Sequence, residues 1–385
     1  MAKVLLAELS GRWLRAWHGL SDGGVQPLSL SEQSPRLPLA ISPMGRRWQF
    51  GWPAWHLHRQ EPRQVLTDFL PHCHRQQTWY VGGRRLKARQ VMQMLAETLR
   101  PFASEVGRGL WLVPAYVENE TAAFLQHEMQ QAGIPCHAVV WQDLVWLLAG
   151  LTDGVSAGRL CLIDVDELAA VVSLAEIQPA VAGVSPGCCS GELWLRQRHL
   201  VWELGQRVWL ERVMLAACEI AIRDLRRDPR RSPQADQSLY EQIEEHWPNL
   251  AQRQHTITIR ATDFHCPLIL RPELVLRSCA VLARQGAGIV ARAIHSLRQQ
   301  EIPEVWLSDR ASGLPTFFRR VYEALGYSLV VRDLRQESYL AAAVHLAENP
   351  EMVALCSHRL PLPASQWPAP GRSGQSSPRL AAHGR

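Results

Sequence analysis

The chain has 385 residues, 47% apolar and 20% charged, with 41 basic residues against 36 acidic ones and a net charge of +5. That length exceeds one average domain and that apolar content can bury a substantial core. Together they exclude a disordered chain and make a two-lobed or two-domain α/β body the expectation.

The basic excess is dispersed. Its densest run, Arg223 to Arg231, has no interleaved aromatic residue and reads as a solvated loop, so no nucleic-acid surface is expected. The nine cysteines are odd in number and share no repeating spacing, which argues against a disulfide framework. His72-Cys73-His74 could ligate a metal, but no second ligand pair lies at structural-zinc spacing, so no metal site is expected. The apolar run in Met1 to Ala7 is short for a secretory signal and no stretch is expected to span a bilayer, which makes a cytoplasmic protein the expectation.

The chain opens as a β-hairpin: Lys3 to Leu9, a Ser10-Gly11 turn, and a return strand from Trp13 to Trp17. A proline- and serine-rich stretch runs to about Pro43, with short strand and turn from Gly45 to Trp55. Val91, Met94, Leu95 and Leu99 recur at helical spacing and predict a helix over Lys87 to Phe102. Gly109 to Pro114 reads as a buried strand, and Asn119 to Ala132 as a helix stopped by Gly133-Ile134-Pro135. A strand from His137 to Trp141 and a short apolar helix from Leu144 to Leu151 follow. A second hairpin, Arg159 to Asp164 with Leu168 to Ile177, is followed by strands near Ala180 to Val184 and Glu192 to Leu200. Helices are predicted over Gln206 to Arg226, Gln237 to Glu245 and Glu273 to Leu297, with a strand from Thr256 to Arg260 before the last. The final alternation is strand Glu304 to Leu307, helix Pro315 to Leu325, strand Ser328 to Val331 and helix Ser338 to Ala347. Residues from about Pro361 onward, rich in Pro, Ser, Gly and Arg, read as a disordered tail. A hairpin opens each half and helices close each half. This suggests two related lobes, 1–155 and 156–350, followed by a tail over 351–385, in an α/β fold.

Five stretches carry a family likeness in order. They are Leu112 to Tyr116 with the helix ending Ala132-Gly133-Ile134; Gln142-Asp143 opening a helix with Leu147 to Gly150; and Leu162 to Val165 with Val172 to Leu174. Glu304 to Leu307 with Ser312 to Pro315, and then Ala341 to Ala347, complete the set. Together they resemble the nucleotide-binding domain of the DnaK-type seventy-kilodalton heat-shock chaperones over roughly residues 1–350, without that family's peptide-binding domain. The resemblance implies a two-lobed actin-like, ribonuclease H-like duplicated fold. In that fold ATP and Mg²⁺ sit between the lobes, held by two glycine-rich hairpins and by acidic residues.

Carried over by position, the resemblance places Glu8, Asp143 and Asp164 as catalytic acids. It places Ser10, Gly11, Arg12, Asp166, Glu167, Glu241, Arg310, Ser312 and Gly313 along the nucleotide cleft. The residue types suit a phosphate poorly. Arg12 stands where the family has a small hydroxyl residue, although an arginine could also contact a phosphate. After Asp164 the chain reads Val165-Asp166-Glu167-Leu168-Ala169, so every glycine that would let backbone N–H groups approach phosphate is gone. Two carboxylates facing a triphosphate in a partly desolvated cleft repel it by on the order of several kcal/mol. Ser308 to Ala311 replaces the paired glycines against which adenine packs, Glu244 and Glu245 replace a basic pair after Glu241, and no catalytic lysine stands between Arg63 and His74. Asp143 reads equally well as a helix N-cap. The expectation is a pseudo-ATPase with protein partners, acting as a binding or regulatory module, with ATP and Mg²⁺ the only cofactors suggested and the residues weighing against both. Two alternatives stay open: a functional ATP-hydrolysing chaperone-like protein with Glu8, Asp143 and Asp164 around Mg²⁺, and an actin-like assembly scaffold.

Overall fold

The computed structural model describes residues 3–20, 24–32, 34–103, 106–152, 158–179, 191–262, 265–295, 304–326, 331–349, 353 and 359–362. The chain begins as its alternating residues predict, with β1 (Lys3–Leu9) turning at Ser10-Gly11 into β2 (Trp13–Gly19). The proline- and serine-rich stretch, read as irregular, adds β3 (Val25–Pro27) and β4 (Arg36–Pro38) to β2. The hairpin β5 (Ile41–Met44) and β6 (Arg47–Phe50) is followed by the single-turn helix α1 (Trp52–Trp55). A further hairpin joins β7 (Thr78–Val81) to β8 (Arg84–Lys87) through Gly82-Gly83, both at positive φ, a conformation that glycine adopts without steric cost. Next come α2 (Ala88–Ala103), β9 (Val106–Val113), α3 (Asn119–Gln131), β10 (Ala138–Trp141) and α4 (Gln142–Thr152).

The second half opens with β11 (Arg159–Val165), β12 (Ala170–Pro179) and β13 (Gly191–Val201). Two helices follow, α5 (Gln206–Leu225) and α6 (Pro233–His246), the latter started by Ser232, whose Oγ accepts from Ala235 N at 3.3 Å, with Pro233 in the first turn. The hairpin β14 (His255–Arg260) and β15 (His265–Leu270) leads to α7 (Pro272–His295). The chain continues through β16 (Glu304–Leu307), α8 (Asp309–Ser312), α9 (Phe317–Leu325), β17 (Val331–Asp333), α10 (Gln336–Glu348) and β18 (Arg359–Leu362). The strand expected over Ala180 to Val184 lies outside the described residues, as do Ser328 to Val330. Within the stretch expected to be a tail, β18 pairs antiparallel with β13.

Two mixed sheets repeat one plan. In the first, ordered β10-β9-β1-β2-β3, β2 is antiparallel to β1 and β3 to β2, while β9 and β10 run parallel to β1 in turn. In the second, ordered β17-β16-β11-β12-β13, the same five senses recur before β18 adds to the far edge. The α/β class expected from the pattern of elements is the class observed.

Each sheet organises its own apolar core, and the cores are stitched together. Trp13, from the first sheet, is buried in the second core 5.1 Å from Trp55, and Trp306, from the second sheet, is buried in the first. Trp306 presses so closely on α4 that a Cβ on Gly150 would stand 2.5 Å from its ring. The division at residue 155 also fails for α10, which packs on the first sheet: Tyr339 stacks on Trp146 of α4 at 4.3 Å, and Val344 lies against Gly19 of β2. Among the described residues α7 is long and apolar enough to cross a membrane by length and composition, which no stretch was expected to be. Its Val275, Cys279, Leu282, Ala283 and Val290, at helical spacing, are buried in the second core, and it packs against α5 and α9.

Candidate functional site

The turns of the two sheet-opening hairpins meet. Ser10 N donates to Trp13 O at 2.8 Å and closes the first turn. In the second turn, Asp166 Oδ1 accepts from the backbone N–H groups of Leu168 and Ala169 at 2.8 and 2.9 Å. The amides at this tip are therefore spent on a side chain of the tip itself. The carbonyls of Asp166 and Glu167 accept from Gln206 N and Arg207 N at 2.8 and 3.0 Å, which uses the first donors of α5, a place where an open helix end would receive an anion. Tyr116 donates to Asp166 Oδ2, and burial, helped by the neighbouring Glu167, pushes the Asp166 carboxyl up to about 7. Leu168 fills the space between the tips. A Cβ on Gly11 would stand 2.5 Å from Leu168 Cγ and 3.1 Å from the Tyr116 hydroxyl. Gly11→Ala is accordingly expected to cost ~1–3 kcal/mol of unfolding free energy through overpacking, and a second change, Leu168→Ala, to return part of that loss in urea denaturation.

Beside the tips, α8 delivers an arginine to two carboxylates. Ser308 Oγ accepts from Ala311 N at 3.2 Å and sets the start of α8. From there Arg310 donates to Glu8 at 3.3 Å, to Gln142 Oε1 at 2.7 Å and to Asp164 at 3.0 Å. Gln142 in turn donates to Leu9 O at 2.6 Å. Glu8 is 3% exposed and Asp164 5%. Burial disfavours the Arg310 charge, but Asp164 and Glu8 more than reverse this and raise its pKa. The two acids, one from each sheet, are thus joined by an internal cation.

Arg12 is equally committed. Its Nε and Nη2 fork onto Asp68 at 2.7 and 3.1 Å, and its Nη1 donates to the Tyr240 hydroxyl at 2.9 Å. Arg207 also reaches Asp68, at 2.8 Å, and Tyr240 donates onward to Glu244 at 3.3 Å. Asp68 has φ 54, an uncommon backbone state for a residue other than glycine, and sits there between two arginines.

Of the expected catalytic acids, the structure brings Glu8 and Asp164 together and sends Asp143 elsewhere. Asp143 is the second residue of α4, past the N-cap position, and is 1% exposed. It accepts from Arg198 Nε and Nη2 at 2.6 and 2.7 Å and from Ser173 Oγ at 2.6 Å, with Arg198 lying 3.6 Å over the Trp141 ring. Glu241 accepts from His56 Nδ1 and Gln237 Nε2, both at 2.6 Å. Ser312 donates to Asp309 O at 3.1 Å at the end of α8, and Gly313 beyond it is exposed. Sequence reasoning missed Tyr116, Asp68, Gln142, Leu168 and Tyr240 as partners. Gln142 adjoins a singled-out residue, whereas Arg12 and Asp68 are 56 positions apart and no local pattern links them.

The residues at the hairpin tips do not fit a magnesium-bound triphosphate. The backbone donors that would cradle it are bonded within the chain, Leu168 rests on Gly11, and the carboxylates that would hold the metal are neutralised by Arg310. Among the described residues no group of three or more His, Cys, Asp or Glu side chains is placed to hold a metal ion, and Cys73, flanked by two histidines, is buried in the first core.

What stays open lies farther along. A cleft of about 710 Å³ separates β2 and β4 from α6, with Arg15 and Arg36 on one wall, Glu241, Glu244 and Glu245 on the other, and Trp17, Trp52 and Trp55 between them. Burial pushes the Glu244 carboxyl up to about 7 even with Arg36 and Arg12 opposing. No protein-family model matches the chain, and no curated protein matches it.

Proposed function

We propose that this chain has a two-lobed actin-like, ribonuclease H-like fold of the DnaK type whose nucleotide cleft is closed by its own side chains, and that it acts as a pseudo-ATPase, a protein-binding or regulatory module. Support for the fold comes from the strand order repeated in both sheets, each opened by a hairpin whose turn meets the other. One observation carries the loss of ATP chemistry: Arg310 ties Glu8, Gln142 and Asp164 together while Leu168 rests on Gly11. A nucleotide would have to break a buried ion-pair network and expel a leucine, and would meet Asp166 and Glu167 in exchange. The exchanged tryptophans, Trp13 and Trp306, favour a body whose halves do not swing apart.

The test is calorimetry and thermal shift with millimolar Mg-ATP. No saturable heat, no rise in Tm and no phosphate release are expected. A ligand at 100 times its Kd stabilises a protein by about 2.7 kcal/mol, so micromolar affinity would be plain in both measurements and would overturn the reading. Filaments forming with rising concentration would instead favour an assembly scaffold.

A further inference from the structure

The cleft between β2, β4 and α6 is lined by Arg15 and Arg36 and by Glu241, Glu244 and Glu245. Arg15 and Arg36 face each other directly in the β2–β4 pairing, where like charges repel. Neither guanidinium makes a direct ion pair or hydrogen bond to any described residue; Arg36 lies 4.0 Å over the Trp13 ring and is attracted at longer range by Glu244. Across the cleft, Glu244 is 6% exposed and receives one hydrogen bond, from Tyr240, while Glu245 is exposed. No ion pair bridges these arginines to these glutamates, so two oppositely charged walls face each other over about 710 Å³. Glu241 differs, being already bonded to His56 and Gln237. The rings of Trp17 and Trp52 line the same space, and Trp52 stacks on His56 at 5.7 Å.

A polyphosphate would gain two arginines here and meet three glutamates. A ligand with a carboxylate, a cationic group and apolar surface between them would satisfy both walls and the tryptophans at once. Peptides supply all three, and the volume lies in the range of clefts that enclose a ligand of that size, ~300–1,000 Å³. Resting on the reading of the hairpin tips as having given up nucleotide, we propose that this open cleft binds an extended peptide segment of a partner protein. An acidic group of that segment sits between Arg15 and Arg36, whose planar forks suit a carboxylate, and a lysine or arginine lies against Glu244 and Glu245.

Selection from a displayed library of random hexapeptides against the intact chain is expected to enrich sequences that carry Asp or Glu together with Lys or Arg. The best of these, synthesised with a free and with an amidated C-terminus, is then titrated by tryptophan fluorescence. Equal binding of both forms assigns the carboxylate to a side chain, and loss on amidation assigns it to the terminus. Arg15→Gln and Arg36→Gln are each expected to weaken binding by ~10-fold or more, the loss of a charge-assisted hydrogen bond. Arg36→Lys should lie between wild type and Arg36→Gln, and circular dichroism of each variant checks that it is folded. No enrichment of mixed-charge sequences, or a selected peptide bound equally by wild type and both Gln variants, overturns the proposal. Parallel titrations with Mg-ATP and inorganic phosphate separate the two ways of failing. Saturable Mg-ATP binding weakened by Arg36→Gln refutes the loss of nucleotide binding itself. Absence of both peptide and Mg-ATP binding refutes the peptide site alone.

Discussion

Arg310→Ala is expected to lower the unfolding free energy by ~3–5 kcal/mol, the usual cost of removing one partner from a buried ion pair and leaving the other charges uncompensated. The charges left behind are Glu8 and Asp164, both nearly inaccessible to water, and Gln142 would lose its donor as well. Guanidinium denaturation measures the loss directly. Removing all three charges together, as Glu8→Gln, Asp164→Asn and Arg310→Met, is expected to cost far less than Arg310→Ala alone, because the penalty comes from orphaned charge and not from the missing attraction. A second arm asks what the guanidinium replaces. Two carboxylates and an amide oxygen are hard oxygen ligands of the kind that Mg²⁺ and Ca²⁺ accept, so a millimolar divalent cation should restore part of the lost stability in Arg310→Ala and none in wild type. Unchanged stability in Arg310→Ala would refute the view of this cluster as an internal latch between the sheets.

The other large effect is expected at Asp143. Arg198→Ala should cost ~3–5 kcal/mol for the same reason, since it strands a carboxylate that is 1% exposed and otherwise supported by Ser173 and the Leu144 amide. A double-mutant cycle with Asp143→Ala should show strong coupling, with the double variant more stable than the sum of the two single losses predicts. The cycle also separates two views of Asp143. A residue kept for hydrolysis can be replaced with little effect on folding, whereas a structural anchor cannot. Asp143→Asn with unaltered stability would count against the anchor and return this residue to the cleft chemistry that the family likeness implies.

Much of the architecture was legible because it is local. Both opening hairpins announce themselves by strand runs about a short polar turn, and α2 by apolar residues at helical spacing; α6 is expected only from Gln237, whereas its Ser232 cap and Pro233 start it four residues earlier. Two further elements are also local: the β7–β8 hairpin turns on Gly82-Gly83, and α8 is a single turn, too short to show a period. Others are not. Whether α10 packs with the half it follows or crosses to the other depends on which sheet face is uncovered, and no window of sequence around Tyr339 contains Trp146 or Gly19.

For the site, the order of residues says which groups are present: the missing glycines after Asp164, the acids Asp166 and Glu167, the arginines at 12 and 310, and the acidic run on α6. That is the ground for expecting phosphate binding to be unfavourable, because the need of a phosphate loop for glycine is a property of the backbone alone. It could not say how those charges are neutralised. Arg310 is 302 positions from Glu8 and 146 from Asp164, and only the packing of α8 against β11 brings the three together. At the turn with Ser10 and Gly11, Leu168 occupies the place that glycine leaves open, 157 positions away along the chain from Gly11 and outside any local pattern. Side-chain chemistry is written along the chain, but whether a carboxylate meets a cation, an amide or a ligand depends on distances that only the tertiary structure sets.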